Sequence, residues 1–307
     1  MCIDMSLAKG LRSSILKRVS QCNFNDAASI TRVIGKRSSA PETTKGARKL
    51  FREIGKVLDK HALMAWPELL FGREAWWVLW DIERADKDGH SGDWQEDKLT
   101  ACSMRLLLKG NYVSSKVVPG GVKFGMHLIE RMFQRLDTTD HEIVIEELRT
   151  AALMAMTLAS YLQSRLVEKG IDNYPIMIPT GRGAILGDFD VKKGEFNCRT
   201  FVGGERAITG AKKHIDIQLG KWGWDFIQEF YRGMACVILV KAEALTENED
   251  RTSKVFLDLA DQYISLMEDY NRVTPKHEER TARKKQENTL WALARQQHVA
   301  RSSPAYA

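Results

Sequence analysis

The 307-residue sequence predicts an α+β fold: a central antiparallel sheet packed on helices, with helical regions at both ends. Three observations predict it. Residues 75–118 and 174–203 are rich in aromatic and β-branched residues and are broken by turn residues. The stretch between them and both flanks repeat apolar residues every three or four positions, as helices do. The longest apolar run, MACVILV at 234–240, is far short of the ~20 residues a membrane span needs, so the apolar residues serve a core.

Residues 5–60 read as helices. SLAKGLRSSILKRVS and GARKLFREIGKVLDKHAL both set basic residues between periodic apolar ones, and GKRSSAPETTKG (35–46) reads as a loop. The pattern changes near residue 74. EAWWVLWDIERA is a first strand, KDGHSGDW a loop and KLTACSMRLLLKG a second strand, giving a hairpin that VVPGG (117–121) stops. WWVLW, apolar on both faces, fits a central core strand better than a base-stacking platform. The helix MHLIERMFQRL begins shortly after. A longer helix starts at the Thr/Asp cap of TTDHEIVIEEL, carries acids in its first turns and ends at Gly170. YPIMIP, GAILGDFDV and FNCRTFV form a three-stranded meander, the last two joined by a tight turn at Lys192–Glu195. Two long helices follow, and past Pro275 the chain is highly polar, a charged helix and a frayed end. The expected division is a basic helical region (1–62), an α+β core domain (63–209), a helical region (210–273) and a charged, flexible tail (274–307).

Charge separates the ends from the body. Residues 1–60 hold 13 Lys/Arg against 5 Asp/Glu, and 276–307 hold 7 against 3. With a total of +6, the body between them is −6. Basic ends suit RNA or DNA phosphates, with solvated surface helices as the plainer alternative. The terminal helices also offer a route to a protein partner or a homo-oligomer. The five cysteines are odd in number and widely spaced with no C-x-x-C pair, which argues against a disulfide framework or zinc finger and for a reducing, cytoplasmic setting. No signal peptide, membrane association or cofactor is expected.

The candidate site begins with His127, Arg131 and Arg135, four residues apart and so along one helix face. Two guanidinium forks can hold a phosphate, and an imidazole can move a proton. The same three residues also make an ordinary polar stripe, paired with nearby acids. On the last meander strand, alternation puts Thr200 with Cys198 and Val202, and Phe201 with Asn197 and Arg199. A Thr200 hydroxyl there either donates to a phosphate oxygen or satisfies the backbone. Arg182, at the tip of IPTGRGAILG, and Lys284 and Lys285 in the tail are candidate nucleic-acid contacts. Asp188 and Asp190 share a strand face and allow a metal-dependent phosphodiesterase as a third reading, although hairpin aspartates commonly face water.

Taken in order, a β-hairpin, a helix with His and two Arg, another helix and a meander ending on a polar strand position resemble metal-independent ribonucleases related to barnase, EndoU and RelE-type toxins. The resemblance covers residues 75–205. It implies RNA phosphodiester cleavage without a metal, in a toxin, defence or mobile-element setting. His127 would be general acid or base, Arg131 and Arg135 phosphate ligands, and Thr200 the polar group of the terminal strand. The alternative is a non-catalytic protein that binds nucleic acid or joins an assembly. Catalysis needs the four residues to converge, whereas binding needs only a continuous basic surface.

Overall fold

The computed structural model describes residues 3–20, 41–60, 64–84, 97–110, 112–203, 211–239 and 245–273. Among them are six helices and one seven-stranded sheet. In chain order these are α1 (Met5–Ser20), α2 (Thr44–Lys60), β1 (Met64–Phe71), β2 (Glu74–Glu83), β3 (Lys98–Lys109), β4 (Tyr112–Gly125), α3 (Met126–Leu136), α4 (His141–Glu168), β5 (Asn173–Pro179), β6 (Gly183–Asp190), β7 (Glu195–Gly203), α5 (Ala211–Leu239) and α6 (Leu245–Val273). The class is α+β, with helices at both ends of the described chain.

The strand order is β1-β2-β3-β4-β7-β6-β5. Two antiparallel meanders, β1–β4 and β5–β7, meet through a short parallel pairing of β4 with β7, Val122 opposite Phe196 and Phe124 opposite Cys198. The expected hairpin is therefore the middle of a four-stranded meander. VVPGG does not stop it, because Tyr112–Gly125 is one strand. The register shifts there: Ala101 faces Val122 while Cys102 faces Pro119, so the extra residues bulge out of the ladder.

A second bulge corrects the facing of β7. Leu186 pairs with Thr200 but Gly187 pairs with Cys198, which leaves Arg199 as the extra residue. Phe201 therefore points the same way as Phe196 and Cys198, into the core, and not with Asn197 and Arg199. Gly187 permits this close approach, since a Cβ there would lie 2.0 Å from the Asn197 carbonyl oxygen.

Two cores share the sheet. The larger is lined by Trp80, Phe124, Phe196 and Phe201 and covered by α1, α3, α4, α5 and α6. The smaller lies on the other face, where Leu50, Phe51, Ile54 and Leu58 of α2 cover Ala75, Trp77, Leu79, Met104 and Leu106. Trp77 is fully buried there, edge-on to Phe51 at 6.2 Å. Edge strand β5 is closed by α6: the Tyr263 hydroxyl accepts from the Met177 N–H at 3.2 Å and donates to the Met177 carbonyl at 3.3 Å.

Candidate nucleic-acid interface

Helix α2 is strongly two-sided because its apolar residues fall at 47, 50, 51, 54 and 58, one helical face. Its start is held twice. The Thr43 hydroxyl oxygen accepts from the Gly46 N–H at 3.1 Å, and Arg73 donates to the Glu42 carbonyl while also reaching the carbonyls of Leu108 (3.2 Å) and Gly110 (3.0 Å). With one face fixed on the sheet, the other presents Lys45, Arg48, Lys49, Arg52 and Lys56, all exposed.

At 1.5 Å per residue these five cations make a stripe about 16 Å long, the axial span of about five phosphates of one DNA strand. None of the five has an ion-pair partner among the described residues. Most cations elsewhere do. Arg12 meets Glu130 at 2.6 Å, Arg105 meets Glu74 at 2.8 Å, Arg165 meets Asp261 at 3.1 Å and Lys169 meets Glu268 at 3.0 Å. Lys123 bridges Glu195 and Glu83; burial works against its ammonium, but the two carboxylates outweigh it and its pKa is raised.

The residues expected to carry catalysis are distributed differently. His127 and Arg131 come together on α3, where the Arg131 Nε–H donates to His127 Nε2 at 3.1 Å and a second Arg131 nitrogen donates to Gln134. Buried Glu130 stands 3.6 Å from His127 Nδ1 and holds Arg12 on its other oxygen. Arg135 donates to the Phe201 backbone carbonyl, beyond the point where β4 stops pairing with β7. This contact ties α3 to the strand. Thr200 is half-buried and, by the register, on the sheet face opposite Phe201.

Arg182 lies in the β5–β6 turn, with its backbone N–H donating to the buried Glu147 carboxylate at 2.9 Å and its side chain half-exposed. Lys284 and Lys285 fall outside the described residues. Asp188 pairs with Arg199, and Asp190 accepts from the Lys193 N–H at 3.0 Å and faces the Lys193 ammonium at 3.6 Å. Among the described residues no three His, Cys, Asp or Glu side chains cluster as a metal site would. No described helix is long and apolar enough to cross a membrane.

One feature was not anticipated from the sequence. A cleft of about 270 Å³ lies between α4, the β5–β6 turn and α5, lined among the described residues by Glu146, Thr150, Pro179, Gly220, Trp224 and Tyr231. Trp224 is 61 % exposed and Tyr231 54 %. Two glycines shape it in different ways. Gly223 lets α5 approach the turn, since a Cβ there would come 2.6 Å from Pro179 Cγ, whereas a Cβ on Gly220 would meet nothing within 4 Å. A mid-helix glycine costs about 1 kcal/mol relative to alanine, and at Gly220 packing does not demand it. Burial, aided by the nearby Glu146 charge, raises the Tyr231 pKa. The signal in the sequence was GKWGW inside a helical pattern, with Tyr231 seven residues beyond Trp224.

No protein-family model matches the chain, and neither does any curated protein or solved structure.

Proposed function

We propose that this protein binds nucleic acid through the outward face of α2, without cleaving it. The unpaired five-cation stripe is the observation that carries this reading. Lys and Arg on a fixed helix gain affinity by displacing counterions from phosphates, with no base contact required. The acidic body supports confinement of the contact to this face. Lys284 and Lys285 add to the same basic character, and a reducing, cytoplasmic setting accords with the buried thiols of Cys102 and Cys198.

The test is the salt dependence of binding to duplex DNA and to RNA. Arg48→Ala/Arg52→Ala should lower the slope of log K against log salt by about 1.5 and weaken all sequences alike. An unchanged slope would remove α2 from the interface. Deleting 276–307 separates any contribution of the tail.

Metal-independent RNA cleavage is a second reading. One observation favours it: the His127 ring is about half-exposed and holds the Arg131 guanidinium at 3.1 Å. On that reading His127→Ala lowers the rate of RNA cleavage in EDTA on the order of 10²-fold with the fold intact. Equal rates would retire it.

A further inference from the structure

We propose that the cleft between α4 and α5 binds a small alkylammonium cation, held by the Trp224 and Tyr231 rings and the Glu146 carboxylate. The inference is independent of the α2 interface. Four observations carry it. The volume of about 270 Å³ sits at the low end for small-molecule sites, so the occupant is one compact molecule. Among the described lining residues Glu146 bears the charge, and it is negative, so a phosphate is disfavoured and a cation favoured. Trp224, Ile227 and Tyr231 recur on one face of α5, and exposed aromatic faces attract cations through their quadrupoles while Ile227 and Leu153 meet apolar substituents. Gly220, an exposed lining residue, leaves open space beside the cleft at a cost in helix stability that no packing contact requires.

Arg149 forms an ion pair with Glu146 at 3.7 Å, too long for a hydrogen bond, so the carboxylate oxygens keep their capacity to accept one from a ligand. The Thr150 hydroxyl is turned to the Glu146 backbone carbonyl at 3.0 Å, so it leaves the carboxylate to the ligand. The ammonium would stand between the rings and this carboxylate, with its alkyl groups toward Leu153 and Pro179.

The experiment is a titration of the full chain with choline chloride at constant ionic strength. The readout is the Trp224 indole N–H in ¹H–¹⁵N spectra, identified by its loss in Trp224→Phe. The expected result is a saturable shift. Glu146→Gln should weaken the affinity by about tenfold, and Gly220→Leu, which puts a side chain into the open space beside the cleft without breaking the helix, should abolish the shift. The neutral isostere 3,3-dimethylbutan-1-ol should bind more weakly than choline. The proposal is overturned by a linear, unsaturable response to choline or by unchanged affinity in both variants. Equal affinity for the neutral isostere, or saturation by a nucleoside in place of choline, overturns it as well.

Discussion

The half of the molecule built on β1–β4 and the half built on β5–β7 use the same sheet in different ways. Around β5–β7, helices α3 to α6 bury a continuous core, and cations such as Arg165 and Lys169 of the α4 end meet carboxylates on the neighbouring α6. On β1–β4, one helix among the described residues covers one face, and its outward cations have no ion-pair partner among them. Where several elements converge, charges on one find partners on another. A lone helix on the periphery meets no carboxylate from another element among the described residues. The same geometry that makes α2 the less enclosed element gives it the exposed positive face.

The strongest way to break this comparison is to cut into the smaller core. Phe51→Ala removes a fully buried ring packed on Trp77 and should cost about 3–5 kcal/mol. Amide exchange should then rise in α2 while α4 keeps its protection. Equal loss in both would make the two cores one cooperative unit. A smaller effect is expected at the far edge of the sheet. Tyr263→Phe leaves the Met177 N–H and carbonyl without their shared hydroxyl, at a cost of about 1–3 kcal/mol in urea unfolding. An unchanged midpoint would show that other groups satisfy the strand. The smallest effect belongs to Glu74, on β2 in the less enclosed half. The hydrogen bond from Arg105 holds its pKa below the ordinary 4.5, although burial opposes this. Its contribution is therefore present above about pH 4.5 and lost as pH falls through the lowered value. The melting-temperature gap between the protein and Glu74→Gln should shrink on acidification below pH 4.5. A gap constant with pH would mean the pair does not stabilise the fold.

The sequence revealed what repeats and hid what interrupts. Helix α4 was legible from its Asp140 cap, which accepts from the Glu142 N–H, and the β5–β7 meander was legible from its alternation and turns. Strand β1 was not, because MAWPELLF contains a proline and follows directly on a helical pattern. In strand β4, Pro119, Gly120 and Gly121 look like a stop in sequence, whereas a bulge carries the strand past them. The Arg199 bulge shifts the period by one, which no count along the chain detects, so simple alternation puts Thr200 and Phe201 on the wrong faces. At the candidate site, the basic character of residues 1–60 was plain. Which cations remain unpaired was not, because pairing joins residues such as Arg12 and Glu130 that are 118 positions apart. Arg135 illustrates the reverse: in sequence a phosphate ligand and a backbone tie look alike, and the structure puts its guanidinium on the Phe201 carbonyl.

The Tyr263 contact has one more consequence. It occupies both backbone hydrogen-bonding groups of Met177, on a strand where Pro175 and Pro179 bring no N–H, so α6 does for β5 what a neighbouring strand does for the inner strands. A strand arriving at this edge would first have to displace the tyrosine.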